Sequence, residues 1–362
     1  MDSALFFRAQ CIYGPLKVEI IKREGNKRAD ESATKPSRLS YIEIDNLSLL
    51  LKQQRSFTGE YIEKNWRESY YFNATDKKTG LSLITTIGII PNKRRRCTGF
   101  VIVLRNGRIV IGKPLLSRDI KLHETDRFRL GSLSYQVEGI DWRLRYHSKK
   151  CDLDILFRPL NEFFSYTKDQ NKNGVDLFRK LASQHIEQAG IFEGRIKLNG
   201  QKIKFGPCPG HRDHSWGIRD WTAIDEYWLF CGTFGREKAF NLWKGSTGRK
   251  KFMAGYIFES GKNLEIVSAK VRGQFAPNGK EPTGCKISFK DENGREHNVN
   301  CEVLSSVPMP MPKCIVYETI ARMDYGGEVG YGLLERQIHD ANPFHKVGAL
   351  LEIRKRREGR KH

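Results

Sequence analysis

The sequence contains no long apolar run, and no segment approaches the roughly 18 consecutive apolar residues that a membrane-spanning helix requires. Its first residues lack the basic stretch and apolar segment of a signal peptide. The eight cysteines include no C-x-x-C pair, which argues against a zinc ribbon or a thioredoxin-like redox motif. We therefore expect free thiols, a reducing compartment and a cytoplasmic protein with no transmembrane segment.

The sequence also lacks a glycine-rich phosphate-binding loop between a strand and a helix, the pattern typical of nucleotide-dependent enzymes. Accordingly, we expect chemistry that needs no cofactor. One metal alternative stays open, because His211 and Asp213 could offer two ligands from one strand face. Their distant partners would be Glu226, His297 or Glu335.

Acidic residues are scarce, with 42 Asp and Glu against 63 Lys and Arg, so the net charge is +21. Such a charge would attract the protein to an anionic membrane surface or to nucleic acid. The basic residues are spread along the chain and do not interleave with aromatic residues in one stretch. Nucleic-acid binding is therefore the last of our hypotheses, and it predicts a steep loss of binding with salt.

The 362 residues are enough for two domains. In both halves, β-branched and aromatic segments alternate with turn signals. Two of these signals, Asn106-Gly107 and Asn199-Gly200, are the dipeptide typical of type I′ hairpins. The pattern predicts antiparallel sheet of the kind that builds sandwiches and barrels.

Three segments depart from the strand pattern. Residues 22–40 are polar and contain Gly and Pro, which predicts a flexible loop. Residues 175–189 repeat apolar side chains at three- and four-residue steps and are followed by Gly190, which predicts a helix joining two β domains. The proline-rich residues 307–313 are predicted to form a loop.

The densest group of reactive side chains is residues 211–221, His-Arg-Asp-His-Ser-Trp-Gly-Ile-Arg-Asp-Trp. It holds two imidazoles, two carboxylates, two guanidiniums and two indoles. If residues 211–216 are extended, their side chains alternate between two faces. A buried polar network that braces the strands and a proton-transfer site both fit these residue types. The two faces are His211, Asp213 and Ser215 against Arg212, His214 and Trp216.

Four of the six tryptophans lie between residues 216 and 243, which favours an apolar ligand cavity over ordinary core packing. In such a cavity, Asp213 or Asp220 could protonate an alkene, and indole faces could stabilise the carbocation. Capture by water would give hydration, and capture by an internal alkene or hydroxyl would give cyclisation. The candidate wall residues are Trp66, Tyr70, Trp216, Trp221, Trp228 and Trp243.

Residues 210–221 resemble the signature of a family of two-domain, lipocalin-like β proteins related to hydroxyneurosporene synthase, the carotenoid 1,2-hydratase. In that signature a Gly, an Arg-Asp pair, Ser-Trp-Gly and a later Arg have the same spacing. Uncharacterised relatives of this family share Arg-Asp-His-Ser-Trp-Gly followed by Arg-Asp-Trp. Residues 66–72 with 87–92, and residues 327–335, extend the resemblance to both halves of the chain.

The resemblance implies two tandem calycin-type β-barrels, with the motif near their junction. It also implies hydrophobic isoprenoid or polyketide-like substrates, handled by hydratases, cyclases or pericyclic catalysts without a metal. Asp213 matches the acidic position of the signature, and Trp216 matches its tryptophan. Arg212 and Arg219 match its basic positions. The chain departs from the hydratases at His214 and at Asp220-Trp221.

We therefore expect an all-β protein with an N-terminal barrel in residues 1–180 and a C-terminal barrel, carrying the motif, in residues 181–362. It would bind a hydrophobic small molecule and hydrate or cyclise an alkene. Two alternatives stay open: a non-catalytic carrier of a hydrophobic ligand and a nucleic-acid-binding protein. The expected catalytic residues are Asp213 as general acid, Arg212 or Arg219 holding it, Asp220 as a second acid, and His211 and His214 passing protons.

Overall fold

The computed structural model describes residues 66–90, 96–117, 127–166, 184–218, 220, 222–311 and 313–340. Every regular element in these ranges is a β-strand, which confirms the all-β prediction. No helix in them has the length and hydropathy needed to cross a bilayer. The flexible loop expected over residues 22–40 lies outside the described residues.

The first eleven strands form one antiparallel sheet, most of which curls into a nearly closed barrel. Their bounds are β1 (Trp66–Asp76), β2 (Leu81–Ile90), β3 (Arg96–Arg105), β4 (Arg108–Ser117), β5 (Arg127–Leu130), β6 (Leu133–Glu138), β7 (Asp141–His147), β8 (Cys151–Pro159), β9 (Phe164–Ser165), β10 (Gln184–Leu198) and β11 (Gln201–Ile218). The spatial order is β4-β3-β2-β1-β11-β10-β8-β7-β6-β5, and the short β9 pairs with β10.

The remaining eight strands form a closed antiparallel barrel in chain order. Their bounds are β12 (Glu226–Phe234), β13 (Lys238–Thr247), β14 (Lys250–Glu259), β15 (Lys262–Phe275), β16 (Pro282–Asp291), β17 (Glu296–Met311), β18 (Cys314–Tyr325) and β19 (Glu328–His339). The two barrels match the tandem arrangement that the sequence predicts.

Burial along the strands shows where the barrels meet. On β6 and β7 buried residues alternate with less buried ones, as expected where one face fills a barrel and the other meets solvent. By contrast, β2 and most of β18 are buried on both faces. Apolar clusters join side chains of the two barrels there; one combines Ile84 and Ile102 with Val307 and Ile320. The barrels therefore share an apolar interface that covers part of the outer face of each, including β2 and β18.

Both hairpin predictions are confirmed. Asn106 and Gly107 join β3 to β4 with φ of 48° and 77°, and Asn199 and Gly200 join β10 to β11 with φ of 48° and 89°. Positive φ at both central positions is the requirement of a type I′ turn, which Asn and Gly meet at little steric cost.

The helix predicted over residues 175–189 is wrong where the structure describes it. Residues 184–189 belong to β10, paired on one side with β11. The strand is buried on both faces from His185 to Phe192, so its apolar residues do not follow a two-residue period. Small and apolar residues then recur at steps that also fit a helix, and tertiary packing decides between the two.

The loop predicted over residues 307–313 is also wrong, since residues 307–311 continue β17 and pair with β18. Pairing of β17 with β16 ends at Glu302. Beyond that point one edge of β17 faces no described strand. Pro308 and Pro310 are two residues apart, so their missing N–H groups point to one edge, where a proline costs no ladder bond.

The chain passes from the first sheet to the second barrel between Ile218 and Glu226. This differs from the expected boundary after residue 180. The long hairpin of β10 and β11 returns to the first sheet, where it lies between β8 and β1. The motif consequently belongs to the first barrel, on the strand that faces the second.

Candidate active site

The motif begins within β11, between β1 and β10, and residues 211–216 are extended as considered from the sequence, with the strand continuing to Ile218. Its side chains alternate between two environments. The Arg212 guanidinium lies 5.3 Å over the ring of Trp142, which is part of the first barrel's core. Asp213 instead lines a cavity whose other walls include residues of the second barrel. The two faces of the motif therefore have different surroundings.

The inner face is a closed stack around His214. The His214 ring stacks on the Tyr70 ring, with centroids 4.0 Å apart. The Trp216 ring also packs against the imidazole, with centroids 4.5 Å apart. His214 Nε2 is 2.8 Å from Glu68 Oε1, and both residues are buried. This is the bracing network that the residue types allowed, built inside the first barrel.

Arg212 belongs to the same interior. Its Nε donates to Gln188 Oε1 at 2.7 Å, on the neighbouring β10. Arg212 was expected to hold Asp213, but adjacent strand residues point to opposite faces, so the two side chains diverge. For the same reason His214 does not face the cavity.

His211 lies on the outer face, between the barrels, and is fully buried. Its nitrogens approach the hydroxyls of Thr233 and Tyr256 at 3.5 Å each. Burial lowers the pKa of His211 to about 3, so the ring is neutral across ordinary pH. It lies outside the set of residues that line the cavity.

Asp213 is joined to a histidine of β10. His185 Nε2 lies 3.3 Å from Asp213 Oδ2 and 3.2 Å from Glu187 Oε1. Burial on its own would lower the pKa of His185, but the charge and hydrogen bond of Asp213, together with Glu187, raise it to about 9. Ser215 Oγ donates to the other oxygen of Asp213 at 3.1 Å. His185 is thus an imidazolium held by carboxylates.

Glu187 completes this cluster from a deeper position. It is almost fully buried, and burial raises its pKa to about 7, although the hydrogen bond from His185 opposes the shift. One nitrogen and two oxygens of His185, Glu187 and Asp213 lie within 4.8 Å of one another, a spacing that a divalent metal ion could also bridge. The shared proton of an ion-paired imidazole accounts for the same spacing.

Two more carboxyls lie on the wall that the second barrel supplies. Glu318 on β18 and Glu335 on β19 are directly opposite in the strand register. Tyr71 Oη donates to Glu318 Oε2 at 2.9 Å, and Tyr227 Oη donates to Glu335 Oε1. Burial, with the charge of Glu335, raises the pKa of Glu318 well above its usual range, and burial raises that of Glu335 to about 6.

These groups surround a partly open cavity of about 130 Å³ between the barrels. It is similar in size to an engineered core cavity of roughly 150 Å³ that binds benzene. Acidic groups lie on both sides, with Asp213 on the first barrel and Glu318 on the second. Its apolar walls are Phe100, Leu229, Trp243, Met309, Met311 and Val316.

Of the tryptophans expected to line a ligand cavity, Trp243 does so, and its ring contacts His185 at 4.9 Å between centroids. Trp228 lies inside the second barrel, stacked on Phe230 at 5.8 Å, because its strand neighbours, and not Trp228, face the first barrel. Tyr70 and Trp216 belong to the His214 stack. The side chains of Trp66, Arg219 and Trp221 lie outside the described residues.

Asp220, the second acid candidate, sits in the turn after β11, where its Oδ1 accepts hydrogen bonds from the N–H and hydroxyl of Thr222 at 3.0 and 2.6 Å. Two of the distant metal partners are engaged elsewhere. Glu226 accepts from Arg336 at 3.0 Å, and His297 Nε2 lies 3.0 Å from Asp291. Of the three, Glu335 lines the cavity.

The sequence analysis missed five ionisable residues of the cavity: Arg67, Tyr71, His185, Tyr227 and Glu318. His185 lies in the segment that was predicted to form a helix. Glu318 had a usable signal, namely a carboxyl group inside an apolar run of residues. Glu318 follows Cys-Ile-Val-Tyr and precedes Thr-Ile-Ala, where an unpaired carboxylate would be costly.

Residues 61–339 match the model of a family described as "Domain of unknown function (DUF7064)". No functionally curated protein matches the chain. The resemblance to carotenoid hydratases therefore rests on the motif.

Three solved structures share the arrangement of barrels. A protein of Nitrosomonas europaea assigned as an AttH has a TM-score of 0.59 at 12% identity, covering 75% of this chain and 91% of that one. Kievitone hydratase from Nectria haematococca gives 0.53 at 10%, covering 75% and 88%. CghA, in a complex with Sch210972, gives 0.56 at 9%, covering 76% and 89%. At these identities the likeness shows the fold.

Proposed function

The chain belongs to the DUF7064 family, and we propose that it catalyses the hydration or cyclisation of an unsaturated hydrophobic small molecule by acid–base chemistry between its two barrels. The observation that supports this function is the cavity itself. Apolar walls such as Leu229 and Trp243 enclose Asp213 and Glu318, which come from different barrels. A pocket that is mainly apolar with a few converging polar groups is typical of a small-molecule site.

Asp213 is the proton-handling group on the first barrel. The sequence analysis expected it to be the general acid. Its partner His185 is an imidazolium, and an opposite charge at hydrogen-bond distance favours the ionised carboxylate. Asp213 is therefore better suited to accept a proton from water or from a substrate hydroxyl than to donate one.

The apolar side chains that line the cavity indicate the class of substrate. Met309 and Met311 are flexible apolar side chains that adapt to irregular ligands. An isoprenoid or another lipid-like alkene would suit such a surface. Among the proteins that share the fold, one is named as a hydratase, which agrees with addition of water to a double bond.

Ligand carriage without chemistry is the second hypothesis. A lipocalin-type carrier holds its ligand inside a barrel. Inside the first barrel, however, Tyr70, Phe72 and Trp142 pack ring against ring, with centroids 5.2 and 5.7 Å from Trp142. The described residues thus favour a site between the barrels.

The first step is to identify a bound compound. Full-length protein is purified from its own host and extracted with organic solvent, and the extract is analysed by mass spectrometry. The compound is then incubated with the emptied protein in ¹⁸O-labelled water. Hydration adds one heavy oxygen, cyclisation gives a product of unchanged mass, and carriage returns the compound itself.

Asp213→Asn keeps the size of the side chain and removes its charge. We expect kcat to fall by about 10²- to 10⁴-fold, the usual contribution of a positioned acid or base, while the compound still co-purifies. Asp154→Asn, which alters a surface carboxylate paired with Arg143, is the matched control. Full turnover by the Asp213→Asn protein would contradict the proposal.

A further inference from the structure

Glu318 and Glu335 form a buried carboxyl pair on the wall that the second barrel supplies to the cavity. Their relative exposures are 7% and 8%, and they face each other across β18 and β19. Within the described ranges, no lysine, arginine or histidine forms an ion pair with either one. Two carboxylates opposed in this way repel each other, and burial makes the repulsion larger.

Each of the two carboxyls accepts a hydrogen bond from a tyrosine. Tyr71 and Tyr227 each donate one hydroxyl proton, to Glu318 and Glu335 respectively. Glu318 and Glu335 are directly opposite on adjacent strands, a spacing at which two buried carboxyls come close enough to share one proton. Repulsion between two buried carboxylates then favours a state in which one of them is a carboxylic acid. Paired carboxyls at the centres of aspartic proteases hold a single proton for the same reason.

We propose that Glu318 and Glu335 share one proton and that Glu318 delivers it to the substrate, with Glu335 as the positioning residue that keeps it protonated. This assignment rests on the proposed function and identifies the general acid of that reaction. Glu318 receives the Tyr71 hydrogen bond at the cavity wall, opposite the barrel that carries Asp213. The first barrel would supply the base and the second the acid.

In hydration, the O–H bond of Glu318 breaks as the alkene π pair forms a C–H bond with that proton. Water adds to the resulting carbocation through a new C–O bond and loses one proton to Asp213. Asp213 returns that proton to the carboxyl pair through solvent, so the sum is addition of one water. In cyclisation, an internal hydroxyl takes the place of water.

The geometry also limits the reacting end of the substrate. A cavity of about 130 Å³ admits a group close to the size of one ring, so the rest of a larger molecule must extend through the opening. The reacting group needs an alkene carbon that accepts a proton and no charge of its own. The titratable and charged groups around the carboxyl pair are Arg67 and Tyr71 on β1, His185 and Glu187 on β10, Asp213 on β11, and Tyr227 on β12.

The first test needs no substrate. Infrared difference spectra of the full-length protein, recorded with ¹³C-labelled glutamate, report carboxylic-acid C=O groups at pH 7. Glu187 contributes to the same band, so the readout is the difference between wild type and Glu318→Gln. The control is Glu302→Gln, which alters an exposed residue on β17. A band that is lost in Glu318→Gln and kept in Glu302→Gln supports the shared proton. Identical spectra of wild type and Glu318→Gln would overturn it.

The second test uses the compound extracted from the protein. Glu318→Gln can still accept from Tyr71 and donate to Glu335, so we expect it to fold and bind while kcat falls at least 100-fold. Glu335→Gln should retain part of kcat but move the alkaline limb of its pH profile to lower pH, because the charge that holds the proton on Glu318 is gone.

Retention of kcat within a few-fold in Glu318→Gln overturns the donor role, even if Asp213→Asn is inactive and the proposed function stands. Absence of turnover in wild type overturns the proposed function and the donor role together. The infrared result then still decides whether the pair holds a proton, so the two failures are distinguishable.

Discussion

At the scale of single residues, His211 makes the protein sensitive to acid. Its pKa is about 3 in the folded state, against 6.5 when exposed, so below pH 6.5 the unfolded chain binds a proton that the folded chain does not. The free energy of unfolding should therefore fall on acidification from pH 6.5 toward 3, by up to about 1.4 kcal/mol per pH unit from this residue. His211→Gln should remove this contribution, so on acidification from pH 6.5 to 4 its urea midpoint should fall less, or rise more, than that of wild type.

The quantity to compare is the slope of the urea midpoint against pH, because loss of packing in the variant will also lower its stability at pH 7. The control for the loss of one imidazole is His147→Gln, which alters an exposed histidine at the end of β7. The same dependence of the midpoint on pH in His211→Gln as in wild type would show that His211 does not cause the acid sensitivity.

Single residues also show how far the site was predictable. The alternation of β11 correctly separates Asp213 from Arg212 and His214, since it needs only an extended backbone. Asp213 and Trp243 do line the cavity. Glu318 is 105 positions from Asp213, and no local pattern records that a second barrel brings it to the same cavity.

At the scale of elements, Gly190 was read as the end of a helix, but it lies inside β10 where another strand's side chain packs on the backbone. A Cβ at Gly190 would meet the Phe157 ring at 2.1 Å and the carbonyl oxygen of Arg158 at 2.6 Å. Gly190→Ala should therefore destabilise the protein by about 1 to 3 kcal/mol, the cost of overpacking a core. Urea unfolding at pH 6 measures it.

Gly139→Ala is the comparison, because the added methyl group meets nothing within 4 Å and only its left-handed φ of 71° opposes the change. We expect about 1 kcal/mol there. If Gly190 ended a helix, its substitution would cost about as much as that of Gly139. Equal effects would thus contradict the packing in β10.

The wrong helix and the wrong loop have a common cause. The alternation of apolar and polar residues is clear where one face of a strand is exposed to solvent, as on β6 and β7. It disappears where both faces are buried, as on β10. The prolines of β17 were similarly misleading, because their tolerance depends on which edge has a neighbour. Turn chemistry is local, and both Asn-Gly hairpins were predicted correctly.

At the scale of the whole molecule, the number of barrels follows from chain length, hairpins and the motif, but their contact does not. That contact determines how stability depends on alkaline pH. Burial between the barrels raises the pKa of Glu335 to about 6 and of Glu187 to about 7, and carboxylate partners raise that of His185, against the effect of burial, to about 9. Each group holds its proton more tightly when folded.

Groups with raised pKa values stabilise the fold below their unfolded pKa values, and that stabilisation is lost as pH rises through the folded ones. The urea midpoint should therefore decline from about pH 4.5 to pH 9. His211 opposes this decline below pH 6.5 and lowers stability at more acidic pH, so the maximum should lie near pH 4.5. Glu318→Gln removes one of two opposed carboxyls and can donate to Glu335, so it should be more stable than wild type at pH 9. Glu302→Gln should follow wild type, and a Glu318→Gln curve parallel to wild type would mean that the pair does not limit alkaline stability.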